Sequence, residues 1–182
     1  MTMSGRDARR YGETISYSVA DTYLGKVVVA YTDNGLCGVT ATDSEDNAME
    51  YLRNEFPGAK LSESEAGRKY IERILAYLQG SRVDIPLDFA GTEFQLQVWN
   101  ALRDIPFGTT VTYSQLASMI GKPNAVRAVA NACASNPLPL IIPCHRVVRK
   151  NGELGGYGMG IGRKKILLER EGSAKPSEIA HK

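Results

Sequence analysis

The 182-residue sequence contains few cysteines and histidines, and their scarcity excludes several classes of protein. Three cysteines are too few, and odd in number, for the disulfide framework of a small secreted domain, and they fit a reducing compartment. Cys37, Cys133, Cys144 and His145 show no paired spacing of a zinc site, so we expect no bound metal. The second histidine, His181, lies in a polar C-terminal tail.

Long apolar runs are also lacking. No stretch approaches the roughly 20 apolar residues that a membrane span needs, and the polar first ten residues do not read as a secretory signal. The chain is 43% hydrophobic and 23% charged, which is enough apolar material for an ordinary globular core. We therefore expect a cytoplasmic protein.

Charge is divided unevenly along the chain. Residues 1–90 contain 10 Lys and Arg against 14 Asp and Glu, whereas residues 91–182 contain 12 against 6. A basic half of this kind favours contact with a polyanion such as nucleic acid. Chance imbalance explains the same numbers equally well until motifs are considered.

The pattern of apolar residues in the first half predicts a small α+β domain. Residues 14–31 predict two strands, Asp33-Asn34-Gly35 a turn, and residues 36–40 a third strand. Residues 44–56 predict a helix, and a capping box at Ser62–Glu65 predicts the start of another that ends at Gly80. We assign residues 1–88 to this α/β domain, and Cys37 to its core.

The second half, residues 89–182, is predicted to be mostly helical. Capping boxes at Thr92–Gln95 and Thr112–Gln115 each open a helix, the second with Leu116, Met119 and Ile120 facing inward. Pro123 is expected to begin the next helix, through Ser135, and a last helix covers residues 163–171. The two short central helices read as a helix-turn-helix, although a plain helical hairpin has the same spacing.

The helix predicted from Pro123 to Ser135 carries a distinctive polar face. Asn124, Arg127 and Asn131 share this face with several alanines, while Val126, Val129 and Cys133 form the apolar face. Small residues with one long cation suit close approach to a nucleic-acid backbone or groove, with little reading of base sequence.

The stretch Ile142-Pro143-Cys144-His145-Arg146 carries the most reactive pair in the chain. A cysteine thiolate is a strong nucleophile, and His145 is the histidine that could act on it. Neighbours on an extended strand point to opposite faces, so a bridging water or a sharp local turn would have to link them. A buried strand cysteine beside an unrelated histidine remains the alternative. The glycine-rich loop at residues 155–162 could line a ligand pocket with backbone N–H groups.

Taken together, these motifs resemble the O6-alkylguanine-DNA alkyltransferase family. The resemblance covers nearly all of the basic half and, more loosely, the acidic half. It implies a ribonuclease H-like N-terminal domain with a small antiparallel sheet, then a winged helix-turn-helix-like C-terminal domain. It rests mainly on Thr112-Tyr113-Ser114-Gln115, Arg127-Ala128-Val129, Asn136-Pro137, Pro143-Cys144-His145-Arg146 and Gly156-Tyr157.

The resemblance implies a direct-reversal DNA repair protein that takes the alkyl group of O6-alkylguanine, and of O4-alkylthymine, irreversibly onto Cys144. His145 would act as base through a water, Glu171 would orient the imidazole, and Asn136 would hold the preceding turn. Tyr113 would assist the departing guanine. The base would be bound by Val147, Tyr157, Gly158 and Met159, and a bulky Met159 at the pocket lip would restrict large substituents such as benzyl.

The family also implies a monomer that binds double-stranded DNA through the minor groove and flips the damaged base, with no cofactor. Arg127 would fill the gap in the duplex. Further contacts to DNA would come from Ala128, Asn124, Asn131, Thr112 and Ser114. Two alternatives stay open: a non-catalytic protein that binds alkylated lesions, and a helix-turn-helix regulator that reads one DNA sequence.

Overall fold

The computed structural model describes residues 14–172, which divide into two compact units. Within these residues the first unit comprises 14–76 and 82–89, and the second comprises 77–81 and 90–172. The architecture is α+β, as predicted, with a small sheet and helices followed by a mainly helical part. None of the helices in this range is long and apolar enough to cross a bilayer.

A four-stranded sheet organises the first unit. Strands β1 (Thr14–Thr22), β2 (Gly25–Thr32) and β3 (Gly35–Thr42) form an antiparallel meander, as the alternation of apolar residues predicted. Helix α1 (Glu45–Glu55) begins after its N-cap Ser44, whose side chain accepts from the Asn47 N–H. Its buried Leu52 packs with Cys37, which is fully buried in β3 as predicted.

The prediction of a capping box at Ser62–Glu65 was wrong. Ser62 lies in a fourth strand, β4 (Lys60–Glu63), which pairs in parallel with β1 and makes the sheet mixed. Ser64 instead caps a short 3-10 turn, Glu65–Gly67, by accepting from the Ala66 N–H, and helix α2 (Arg68–Tyr77) follows. An edge strand of four residues is too short for alternating apolar and polar residues to be recognised in the sequence, so the serine-rich capping pattern was the stronger signal.

The second unit is built from four helices and two very short strands. Its elements are α3 (Glu93–Arg103), β5 (Val111–Thr112), α4 (Tyr113–Met119), α5 (Val126–Ala134), β6 (Val147–Val148) and α6 (Ile161–Arg170). Strands β5 and β6 pair in parallel. Trp99 of α3 is 1% exposed, and its ring N–H donates to the Ala132 carbonyl at 2.8 Å.

Both remaining capping boxes are confirmed. At the start of α3 the Thr92 hydroxyl accepts from the Gln95 N–H at 3.2 Å, and the Gln95 side chain accepts from the Thr92 N–H at 2.9 Å. The same reciprocal pair joins Thr112 and Gln115 at the start of α4. These bonds satisfy N–H groups that a helix start leaves without an intrahelical partner.

Three details of the helices in the second unit differ from the prediction. Met119 is 49% exposed rather than inward-facing. Helix α5 begins at Val126 and not at Pro123, because residues 122–125 close a separate turn through the Ala125 N–H and the Lys122 carbonyl at 2.9 Å. Helix α6 begins two residues earlier than predicted, at Ile161, and ends with Glu171 as its C-cap.

Candidate active site

Cys144 begins a one-turn 3-10 helix, Cys144–Arg146, rather than lying on an extended strand. The Val147 N–H closes this turn onto the Cys144 carbonyl, and all of residues 141–148 are buried. The sharp local turn considered from the sequence is therefore present, and strand geometry does not separate the cysteine from the histidine. Burial raises the pKa of the Cys144 thiol to about 11, so the resting group is a neutral thiol.

Cys144 lies on the wall of a cavity of about 690 Å³. One side of this cavity is the face of α5, with Arg127 and Asn131, and another is the glycine loop that follows β6. Within residues 14–172, no aspartate or glutamate lines this cavity. The other lining residues are Tyr113, Val126, Ala130, Cys133, Ala134, Arg149, Gly155, Gly156, Tyr157 and Gly158.

His145, the residue after Cys144, forms a buried side-chain hydrogen bond with Glu171. His145 Nε2 lies 2.7 Å from Glu171 Oε1, and their side chains are 0% and 1% exposed. The Glu171 carboxylate also accepts from Arg146 Nε at 3.0 Å and from the Gly108 N–H at 3.3 Å. Burial opposes the charge on Glu171, but the hydrogen bonds from His145 and Arg146 and their electrostatic attraction outweigh it and hold its pKa at about 2.

Because Glu171 is ionised, the proton on the His145 ring belongs on Nε2, where it is donated to the carboxylate. The lone pair is then on Nδ1, a buried atom with no hydrogen-bond partner among the described residues. Burial lowers the pKa of His145 despite the Glu171 contact, so the imidazole is neutral and able to accept a proton. The Tyr157 ring stands edge-on to the imidazole, with 6.5 Å between the centroids.

Asn136 fixes the loop that leads to the thiol. Its Nδ2 donates to the Ile142 carbonyl at 2.7 Å, and its Oδ1 accepts from the Leu138 N–H at 2.9 Å. Burial has the largest effect on the pKa of Cys144 and raises it, whereas a hydrogen bond from the Asn136 side chain acts to lower it. Tyr113, the first residue of α4, lies on the cavity wall, and burial raises its pKa so that it carries a proton to donate.

Several residues predicted for the site lie outside the cavity wall. Met159, predicted at the pocket lip, is 5% exposed and is not among the described residues that line the cavity. Val147 is fully buried, and its carbonyl accepts from Lys164 Nζ at 2.6 Å. The residues predicted to touch DNA, apart from Arg127 and Asn131, are not among those that line the cavity: Asn124, Ala128 and Ser114 are exposed and Thr112 is buried.

Comparison with known proteins identifies the group to which this chain is related. Residues 93–173 match the family model for the 6-O-methylguanine DNA methyltransferase DNA-binding domain. The chain is 44% identical over 147 residues to the inducible methylated-DNA--protein-cysteine methyltransferase of Bacillus subtilis, covering 79% of this chain and 82% of that one. The chain belongs to this methyltransferase family. A Mycobacterium tuberculosis family member, OGT in complex with DNA, has a TM-score of 0.72 at 34% identity, covering 90% of this chain and 97% of that one.

The chain is also similar to a longer relative, the bifunctional transcriptional activator/DNA repair enzyme Ada of Escherichia coli. It is 44% identical over 174 residues, which are 93% of this chain but 49% of that protein. The present chain therefore spans about half the length of Ada.

Two buried cations of the present chain, Arg146 and Lys164, were not identified as site residues from the sequence. Arg146 is buried and, besides Glu171, its Nη1 donates to the Ile105 carbonyl at 2.7 Å. Lys164 is also fully buried and donates to the carbonyls of Val147 and Leu154. Burial lowers the pKa of Lys164 to about 8. Within Arg163-Lys164-Lys165 nothing in the sequence distinguishes this lysine from a solvated neighbour, apart from its helical spacing to Leu167 and Leu168.

Proposed function

We propose that the protein repairs DNA by transferring the alkyl group of O6-alkylguanine, and of O4-alkylthymine, irreversibly to Cys144. The observation that carries this proposal is a buried thiol on a cavity wall, directly followed in sequence by a histidine held by a carboxylate. Transfer forms a thioether, which has no leaving group to regenerate the thiol, so each molecule acts once. The names of the relatives support the same chemistry.

The neutral imidazole of His145 is proposed as the base. Its Nδ1 accepts the thiol proton of Cys144, through a water, as the alkyl carbon approaches the sulfur. Glu171 holds the ring with Nε2–H toward the carboxylate and stabilises the imidazolium that forms. Because the resting thiol has a raised pKa, the proton leaves as substrate reacts and not before.

The departing guanine requires a proton in return. The S–C bond forms as the O6–C bond breaks, and the Tyr113 hydroxyl donates to the base so that neutral guanine leaves. The transfer leaves an imidazolium at His145 and a phenolate at Tyr113. The imidazolium then releases its proton to water and the phenolate takes one from water, so that the net change moves one proton from the thiol to guanine. The base is proposed to be held by Tyr157, the Gly158 N–H and the carbonyls of Cys144 and Val147. Each carbonyl already accepts one hydrogen bond and would bind the base through its second lone pair.

We propose that α5 binds double-stranded DNA through the minor groove and that a monomer suffices. The alkyl carbon of a stacked base cannot align with a buried sulfur, so the nucleotide must leave the duplex. Arg127 is placed on the cavity wall, where it can occupy the space that the base vacates. Exposed Asn124, Ala128, Asn131 and Ser114, together with Thr112, are proposed to contact the backbone.

One experiment tests the proposal. The protein is incubated with a duplex that contains one O6-methylguanine, and its intact mass and tryptic peptides are measured. We expect a gain of one methylene group on the peptide that contains Cys144, and restored guanine in the DNA. Tight binding of the lesion with no gain in mass would instead identify a non-catalytic lesion binder. Binding to one DNA sequence regardless of the lesion would identify a regulator.

A further inference from the structure

Arg149 is the second cation on the cavity wall, and the function proposed above gives it no role. It follows β6 directly, five residues after Cys144, and begins a closed turn. Its N–H donates to the Glu153 carbonyl at 2.8 Å, and its carbonyl accepts from the Gly152 N–H at 2.9 Å. The backbone of Arg149 is therefore held in a hydrogen-bonded turn that follows Cys144 by only five residues.

The stem of Arg149 lies beside Tyr113 at the glycine loop. A Cβ placed on Gly155, which has a φ of +71°, would stand 3.2 Å from the Tyr113 hydroxyl and 3.6 Å from Arg149 Cγ. A side chain at this position would thus crowd Tyr113, and the positive φ independently favours glycine. The arrangement keeps Arg149 and Tyr113 together on the same part of the wall.

The charged end of Arg149 is oriented by a carboxylate. Its Nη1 lies 3.0 Å from Glu153 Oε2, and the two side chains are 60% and 61% exposed. An arginine that lines the cavity but keeps most of its side chain in solvent lies at the rim of the site. Glu153 engages only one nitrogen of a guanidinium that offers five N–H donors.

We propose that Arg149 binds a backbone phosphate next to the flipped nucleotide, and that Glu153 holds the guanidinium ready and competes for it. This inference rests on the proposed function, because a base that enters the cavity leaves its phosphodiester outside, at the rim. None of the described residues that line the cavity carries a carboxylate, so Glu153 beside Arg149 is the carboxylate with which that phosphate would compete. A guanidinium fork suits phosphate, and its contact acts on DNA substrates alone because the free base carries no phosphate.

The variants Arg149→Gln and Glu153→Gln test the proposal, with Lys165→Gln and Glu169→Gln as matched controls. Lys165 and Glu169 form another exposed i,i+4 pair in the same unit, with 3.7 Å between Nζ and Oε1, and neither lines the cavity. Each variant is assayed for binding to a lesion duplex over a series of salt concentrations. Each is also assayed for alkyl transfer from the duplex and from the free O6-methylguanine base.

We expect Arg149→Gln to weaken duplex binding about tenfold and to reduce the slope of log affinity against log salt by about one. Glu153→Gln should strengthen duplex binding about two- to fivefold, and this gain should vanish when Arg149→Gln is also present. Arg149→Gln should reduce transfer from the duplex more than transfer from the free base, and the two control variants Lys165→Gln and Glu169→Gln should leave transfer from both substrates unchanged.

Two outcomes separate this inference from the function on which it rests. If the unaltered protein accepts no alkyl group from either substrate, the proposed function fails. If it accepts the group but Arg149→Gln behaves like Lys165→Gln, or impairs the free base as much as the duplex, the phosphate contact is overturned. A gain from Glu153→Gln that persists without Arg149 would overturn the competition.

Discussion

Replacing Glu171 with glutamine should destabilise the protein and slow alkyl transfer together. Glutamine keeps the shape of the side chain but removes the charge that His145, Arg146 and the Gly108 N–H all contact. Arg146, whose side chain is 3% exposed, would keep its charge after losing the anion that balances it. Breaking a buried pair in this way costs about 3–5 kcal/mol of unfolding free energy.

The pKa of Glu171 gives an independent magnitude. A shift from 4.5 to about 2 on folding corresponds to about 3 kcal/mol, in agreement with the cost of a broken buried pair. Because the folded pKa lies below the unfolded one, this contribution is fully present above about pH 4.5. It is lost as the pH falls to about 2. The stability difference between the unaltered protein and Glu171→Gln should therefore be constant from pH 7 to 5 and shrink in stronger acid.

Urea unfolding at several pH values measures the stability, and single-turnover transfer from a lesion duplex measures the rate. We expect the rate of Glu171→Gln to fall about 100-fold or more, because the imidazole loses its fixed orientation and the support of its charge. Glu169→Gln, two residues earlier and with a side chain 63% exposed, should change neither quantity. A Glu171→Gln variant as stable as Glu169→Gln, or a difference that grows in acid, would refute the reasoning.

Three further substitutions test other contacts of the site. Arg127→Ala should reduce transfer from duplex DNA about tenfold or more while sparing the free base; equal losses on both substrates would show that Arg127 does not support base flipping. Tyr113→Phe should slow transfer about 10- to 100-fold without loss of stability, whereas an unchanged rate would identify an ordinary core tyrosine. Lys164→Met should cost about 2 kcal/mol or more in urea unfolding, because two carbonyls lose a buried donor; Lys165→Met is the exposed control, and equal stability of the two variants would contradict this account.

Local sequence patterns predicted much of the second unit because its helix starts are determined by short-range bonds. The reciprocal side-chain bonds at Thr92 and Thr112 depend only on residues three positions apart, and both formed as expected. The turn before α5 was missed because proline is as compatible with that turn as with a first helical turn. Met119 was misplaced because a seven-residue helix is too short for its apolar period to define one face.

The chemistry of the site was predictable in its residue types and less so in its environment. Cys144 and His145 are neighbours, and Glu171 follows His145 by 26 residues. The structure joins His145 to Glu171 as the resemblance implied. The burial of Arg146 and Lys164 depends on partners such as Ile105 and Leu154, which no local pattern links to them. The raised pKa of the thiol likewise follows from packing around the whole stretch.

The glycine loop at residues 155–162 offers positions where substitutions could change which alkyl adducts fit in the cavity. A Cβ added at Gly156 or Gly158 meets no atom within 4 Å, and neither residue has a positive φ, in contrast to Gly155. A Cβ can therefore be added at these two wall positions without backbone strain or a close contact. Single substitutions there would narrow the cavity in graded steps, which makes the loop a site where related chains can diverge in selectivity and keep the same reaction.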